Sequence, residues 1–251
     1  MKDAIGILDS GVGAVSLLRH AVRILPNENF ICFGDNRNAP YGPRPFDEIR
    51  ELAATAVDGL LRQNVKALVL ACNTITAAYA ETLRENVRIP VIGMEPALKP
   101  ASMARGDGRV LALATKATLS LERFARLMGL YGEGVIPLEG VGLVELVESG
   151  KADSPEAHDA LAALFAPYMD QQIDAIVLGC THYPFLRRQI ERFFPKAQIF
   201  DGMEGTARQL KRRLADANLL TERAESGRIE FQSSGGEADI QLMRRLFAAE
   251  L

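Results

Sequence analysis

Cysteine and histidine are scarce in this chain, with three of each among 251 residues. The cysteines Cys32, Cys72 and Cys180 are odd in number and far apart, which excludes a disulfide framework. No Cys-x-x-Cys and no paired histidine spacing occurs, so no zinc site is expected. Long apolar runs are also missing. The longest, such as Ala67–Cys72 and Ala175–Leu178, fall far short of the roughly 20 residues of a membrane span. The amino terminus, Met1-Lys2-Asp3 and then an apolar strand, lacks the pattern of a secretory signal, and the chain is expected in the cytoplasm. The net charge of −3 is spread along the chain without a basic stripe, which argues against a nucleic-acid partner.

What is present is a globular chain. An apolar share of 48% and a length of 251 residues suit one large domain or two small ones with an ample core. Short runs rich in Val, Ile and Leu alternate with longer amphipathic stretches. Strands are expected at Ala4–Leu8, Asn29–Gly34, Ala67–Ala71, Val91–Gly93, Arg109–Ala114, Gly134–Pro137, Ala175–Gly179 and Gln198–Asp201. Helices are expected at Ala14–Ile24, Pro45–Gln63, Ile75–Asn86, Leu119–Leu130, Ser154–Gln172, Phe185–Phe193 and Thr206–Ala215, with Ser154 as a cap and Pro155 at the first helical position. The strands are apolar on both faces, and the alternation predicts an α/β fold with parallel sheets.

The two halves repeat each other. Val65-Lys-Ala-Leu-Val-Leu-Ala-Cys72-Asn-Thr matches Ile173-Asp-Ala-Ile-Val-Leu-Gly-Cys180-Thr-His. Ahead of the cysteines, Ile5–Ser10 ends in Asp-Ser and Val110–Thr115 ends in Ala-Thr, at nearly equal distances. Beyond them, Val91-Ile-Gly-Met-Glu95 and Ile199-Phe-Asp-Gly-Met-Glu204 start at the same distance past each cysteine. The pattern predicts two similar parallel-sheet α/β lobes with the active site in the cleft between them. Residues 1–95 and the C-terminal segment 206–251 would form the lobe of Cys72, and residues 96–205 the lobe of Cys180. Ligands of open α/β sheets bind beyond the carboxyl ends of strands, where both cysteines fall.

Cys72 precedes Asn73, Thr74, Ile75 and Thr76 at a strand-to-helix turn, where backbone amides favour a thiolate. A lone free cysteine is more often core filler, but the matching Cys180 reverses that preference. Cys180 is followed by Thr181 and His182, and His182 is the one histidine at an expected strand end. His20 and His158 lie within helical patterns and read as surface or packing residues, and Cys32 reads as core. Asp9-Ser10-Gly11-Val12-Gly13 is a loop between strand and helix that fits neither nucleotide-binding spacing. Asp9 there suits a cationic amino group or a proton relay to Cys72. Asp35–Pro43 is a loop whose Tyr41 and Gly42 either close over a ligand or form a plain turn. Ser233–Gly236 reads as a simple turn without a role.

Thiols on opposite faces of one carbon can remove a proton from one side and deliver it to the other, which inverts a stereocentre. One must be the thiolate base and the other the thiol acid. The carbanion needs electrostatic stabilisation, and the sequence shows no unmistakable pyridoxal site.

Ile5–Gly13, Pro40-Tyr-Gly42, Leu68-Val-Leu-Ala-Cys-Asn-Thr74 and Leu178-Gly-Cys-Thr-His-Tyr-Pro184 together resemble the signatures of the bacterial glutamate racemase family. Val91–Ala97 and Leu146–Ser149 sit where that family has comparable blocks, so the likeness runs from Ile5 to Gly205. It implies a cofactor-independent, two-base isomerase that makes D-glutamate for peptidoglycan, with Cys72 and Cys180 as the bases. Asp9, Glu148 and His182 would assist them, with Glu145 as a substitute for Glu148. Asp9 and Ser10, Tyr41 and Gly42, Asn73 and Thr74, and Thr181 and His182 match the substrate-contacting pairs. Glutamate would be the small-molecule partner, with no metal, no membrane and no nucleic acid, and the chain would be a homodimer.

Two departures stand out. Ala14 replaces a glycine common in the family, and the strand starts near residue 1 without the extension of some relatives. The second puts regulation by a cell-wall precursor in doubt. The rival readings are an aspartate racemase of the same type, a two-lobed amino-acid binding protein, and a cysteine hydrolase using Cys180 and His182. The last two leave Cys72 in its matching position unexplained.

Overall fold

A computed structural model describes residues 3–249. The chain separates into two compact units: one runs to Met94 and resumes at Met203–Ala249, and the other holds Glu95–Gly202.

The first unit begins with β1 (Ile5–Asp9), α1 (Ala14–Ile24), β2 (Phe30–Gly34), α2 (Phe46–Leu61), β3 (Ala67–Leu70), α3 (Asn73–Asn86) and β4 (Val91–Gly93). The second contains α4 (Leu98–Ala104), β5 (Arg109–Ala114), α5 (Lys116–Leu119), α6 (Glu122–Tyr131), β6 (Val135–Glu139), α7 (Leu143–Glu148), α8 (Pro155–Phe165), β7 (Ile173–Leu178), α9 (Arg187–Phe193) and β8 (Gln198–Asp201). The chain then returns to the first unit as α10 (Met203–Asp216), β9 (Ile229–Ser233) and α11 (Glu237–Ala248).

All strand pairs are parallel. The sheet of the first unit has the order β4-β3-β1-β2-β9, and that of the second has β6-β5-β7-β8. Reversed, the second order is β8-β7-β5-β6, so the repeat read from the sequence is a repeat of topology: β1, β2, β3 and β4 correspond to β5, β6, β7 and β8. Registers agree as well. Leu8 faces Leu70 where β1 meets β3, and Leu113 faces Leu178 where β5 meets β7. Each cysteine stands two residues past the second partner, Cys72 after Leu70 and Cys180 after Leu178. β9 has no counterpart in the second sheet.

The central strands are buried along their whole length, as expected where helices cover both faces of a sheet. Ile31, Leu60, Leu68, Leu70, Ile75 and Leu83 belong to the core of the first unit, and Val110, Phe124, Ala175 and Val177 to that of the second. Gly34 is required by close approach. A Cβ there would lie 2.6 Å from the carbonyl oxygen of Gly11, so only glycine lets the end of β2 abut the loop that follows β1.

Several expected boundaries move for identifiable reasons. The helix expected over Ser154–Gln172 stops at Phe165 and gives way to a 3-10 turn, because Pro167 cannot continue an α-helix. Its start is as read: the Ser154 hydroxyl accepts from the Ala157 amide at 3.3 Å, and Pro155 opens the helix. The helix expected over Leu119–Leu130 is two elements, since the Thr115 side chain caps a separate short α5. Pro184 likewise makes Tyr183–Leu186 a 3-10 turn ahead of α9. α4, α7, β9 and α11 were not expected at all.

At the amino ends of the strands, Lys66 and Glu28 form an ion pair at 2.6 Å, with side chains 10% and 3% exposed. Lys66 Nζ also donates to the Leu219 carbonyl at 2.7 Å, and Glu28 accepts from the Thr221 amide at 2.8 Å. The pair thus fastens the connection between α10 and β9 to the base of the sheet. Removing one member leaves a buried charge without compensation. Glu28→Ala is expected to lower unfolding free energy by about 3–5 kcal/mol, measured by urea denaturation.

Candidate active site

In the first unit, parallel strands bring three loops to one edge of the sheet. Asp9 closes β1 and is fully buried, and Ser10 follows it. The Asp35 amide donates to the Asp9 carbonyl at 3.0 Å, so the loop after β2 is fixed to the loop after β1. Cys72 leaves β3 and forms the N-cap of α3 with extended backbone angles. Its side chain therefore sits at the positive end of a 14-residue helix, where negative charge is favoured. The Ser10 hydroxyl donates to Cys72 Sγ at 3.7 Å.

Asn73 and Thr74 open α3 and are buried. Thr76, one turn on, locks this corner. Its hydroxyl donates to the Leu70 carbonyl at 2.9 Å and accepts from the Met94 amide at 3.1 Å, and its amide donates to the Cys72 carbonyl at 2.9 Å. Tyr41 is buried in the same apolar cluster as Cys72, and Gly42 beside it is half-buried. The Tyr41 hydroxyl donates to Asp35 Oδ2 at 2.6 Å. Burial, that hydrogen bond, and the charges of Asp35 and Cys72 push its phenol far above the ordinary range, so it stays a neutral donor.

In the second unit, Cys180, Thr181 and His182 follow β7 and are all buried. His182 Nδ1 lies 3.6 Å from Cys180 Sγ and 3.3 Å from Thr181 Oγ1, and Nε2 lies 2.5 Å from Glu148 Oε1. Glu148 comes from the last residue of α7. Burial disfavours the imidazolium, but the hydrogen bonds and charges of Cys180 and Glu148 outweigh it and raise His182 well above its ordinary value. A protonated His182 donates to Glu148 from one nitrogen and toward the thiol from the other.

The residues singled out in the sequence thus fall into two clusters: Asp9, Ser10, Tyr41, Gly42, Cys72, Asn73 and Thr74 in one unit, and Glu148, Cys180, Thr181 and His182 in the other. Glu145, the substitute for Glu148, is exposed. Cys32 lies within β2, with its thiol raised far above the ordinary range by burial and the charge of Asp9, and is core. His158 stacks on Phe193 with ring centroids 5.0 Å apart. No group of three or more His, Cys, Asp or Glu among the described residues is placed to hold a metal ion. No helix of the described residues is long and apolar enough to cross a membrane.

Three residues beside these clusters were not singled out in the sequence. Asp35 heads a loop read only for its tyrosine and glycine. Tyr183 is wholly buried, with its hydroxyl donating to the Gly140 carbonyl at 3.3 Å. Ser234 lies in the turn read as having no role, yet its hydroxyl donates to Asp35 Oδ1 at 2.6 Å. An aspartate six residues ahead of a tyrosine was the signal for the first, and for Ser234 there was none.

Known proteins resemble the chain along nearly its whole length. Residues 5–210 match the family described as Asp/Glu/Hydantoin racemase. The chain is 46% identical over 252 residues to a glutamate racemase of Clostridium perfringens (strain SM101 / Type A), covering 98% of this chain and 97% of that one. A glutamate racemase isoform from Bacillus anthracis superposes with a TM-score of 0.87 at 29% identity, covering 99% of this chain and 95% of that one. Escherichia coli glutamate racemase, solved with L-glutamate and the activator UDP-MurNAc-ala, gives 0.86 at 27% identity, with 98% and 96% covered.

The His182–Glu148 pair carries a pH signature. A histidine raised in the folded state stabilises it fully below the unfolded value of about 6.5, and the contribution is lost as pH rises through the folded value. In Glu148→Gln the His182 midpoint, followed by its ring proton resonance, is expected to fall. The alkaline decline in stability due to this pair is expected to shrink with it.

Proposed function

The chain belongs to the Asp/Glu/Hydantoin racemase family, and we propose that it interconverts L- and D-glutamate by two-base chemistry, with Cys72 and Cys180 as the bases. The observation that carries the reading is the duplicated position of the two thiols. Each stands two residues past the carboxyl end of the corresponding strand in its own sheet, and each has a hydrogen-bonding companion: Ser10 for Cys72 and His182 for Cys180. A binding protein or a cysteine hydrolase has no use for the second thiol.

The chemistry asks for one thiolate and one thiol at any moment. In one direction Cys72 takes the α-proton as thiolate while Cys180 delivers its own proton to the opposite face of the carbon. In the other direction the roles exchange. Each turnover leaves the two protonation states swapped, and proton exchange with solvent resets them. His182, raised by its hydrogen bonds to Cys180 and Glu148, lies against the Cys180 thiol and can return a proton to it. The helix N-terminus and the Ser10 hydroxyl do the corresponding work at Cys72.

The α-proton is weakly acidic, so the developing carbanion must be met by fixed donors. Asn73, Thr74 and Thr181, with the backbone at Gly42, supply buried polar groups for the two carboxylates of the substrate, and Asp9 takes its ammonium group. The product serves peptidoglycan synthesis, and the reading goes with a homodimer in the cytoplasm.

In deuterium oxide without pyridoxal phosphate, purified protein given L-glutamate is expected to form D-glutamate deuterated at the α-carbon. Early in the reaction the remaining L-glutamate should keep its proton, because separate groups serve the two faces. Proton NMR with chiral chromatography reads both. Cys72→Ala and Cys180→Ala are each expected to abolish inversion, and wild-type rates in either variant would end the two-base assignment. Inversion of L-aspartate in place of L-glutamate would overturn the substrate.

A further inference from the structure

Ser234 stands 199 residues from Asp35 in sequence and donates to its Oδ1 at 2.6 Å. Asp35 is 5% exposed, and its other donors all come from its own loop: Tyr41 Oη at 2.6 Å and Asn38 Nδ2 at 3.0 and 3.1 Å. The same Ser234 hydroxyl accepts the Arg37 amide at 3.1 Å, and the Ser234 amide donates to the Gly34 carbonyl at 3.1 Å. One side chain therefore bridges the start of the Asn36–Asn38 turn and the carboxylate that this turn surrounds. Ser233 adds to the attachment: its Oγ lies 2.9 Å from both Asn36 Oδ1 and Asp239 Oδ2, and its single proton serves one of them at a time. The C-terminal strand β9 is thus fastened by side chains to the loop that carries Tyr41 and Gly42, as well as by the ladder between β2 and β9.

We propose that Ser234 is a positioning residue for substrate binding. It acts through Asp35 on Tyr41, and so on the Tyr41-Gly42 backbone, which it holds at the height where a substrate carboxylate meets it. The inference rests on the reading of Tyr41 and Gly42 as substrate contacts. Without the hydroxyl, Asp35 loses the one donor that, among the described residues, reaches it from outside the loop, and the Arg37 amide loses its acceptor. The loop then samples positions in which Gly42 is misplaced, and the substrate must select the right one. Such a defect weakens binding and leaves the proton transfers at Cys72 and Cys180 intact once substrate is bound.

The test compares steady-state constants for both enantiomers of glutamate. Ser234→Ala is expected to raise KM about five- to ten-fold for each while kcat stays within about two-fold, and Ser234→Thr, which keeps the hydroxyl, to restore it. Gln232 is the control. It joins β9 to Gln63 by side-chain hydrogen bonds of 2.8 and 3.0 Å, and it touches neither Asp35 nor the loop. Gln232→Ala should loosen β9 and leave KM unchanged.

Tyr41→Phe cuts the same chain of contacts at its other end. It should raise KM as Ser234→Ala does, and the double variant should be no worse than about the larger single effect. An unchanged KM in Ser234→Ala, an equal rise in Gln232→Ala, or multiplied effects in the double variant would each overturn the proposal. A wild-type protein that racemises no glutamate would instead overturn the function on which the proposal rests, before any variant is compared.

Discussion

In a parallel sheet every strand points the same way, so every loop that leaves a carboxyl end emerges on the same edge. That constraint places the residues of each cluster. β1, β2 and β3 are neighbours in one sheet. Their exits therefore bring Ser10, Asp35 and Cys72 together although the three are far apart in sequence. β7 does the same for Cys180 and His182, with Glu148 brought in by α7. At the opposite edge the Lys66–Glu28 pair holds the connection between α10 and β9.

The duplicated topology does not extend to the equipment around the thiols. Cys72 has a helix N-terminus and a hydroxyl donor, whereas Cys180 has an imidazole backed by a carboxylate. Enantiomers have equal free energy in water, so the ratio of kcat to KM must be the same in both directions whatever the asymmetry of the catalyst. Unlike surroundings can alter kcat and KM separately for the two directions, and they can do no more.

Much of this was legible in the sequence because burial on both faces leaves a strong mark. β3 reads as an apolar run that leads into Cys72, the Ala175–Leu178 stretch of β7 leads through Gly179 to Cys180, and their likeness revealed the repeat. The less visible parts lie where that mark fades. β9, Ile-Glu-Phe-Gln-Ser, is an edge strand with one exposed and four half-buried positions, so no apolar run announces it and its alternation, Ile-Glu-Phe-Gln, spans only four residues. α4 hides behind Pro100 in its first turn, and Pro167 and Pro184 each shortened an expected helix. The contact of Ser234 with Asp35 depends on which strand pairs with β2, a fact of the sheet order and not of any local pattern.

The first unit is assembled from two stretches of chain separated by the whole of the second. As synthesis proceeds from the amino terminus, β2 exists long before β9, its partner across the outer ladder. Until the strand at Ile229–Ser233 has emerged, the N–H and C=O groups along that side of β2 form an open sheet edge, a template for pairing with other chains. The second unit, continuous from Glu95 to Gly202, can close its own sheet in the interval. The nascent chain is thus most vulnerable to aggregation in the half that begins first and finishes last.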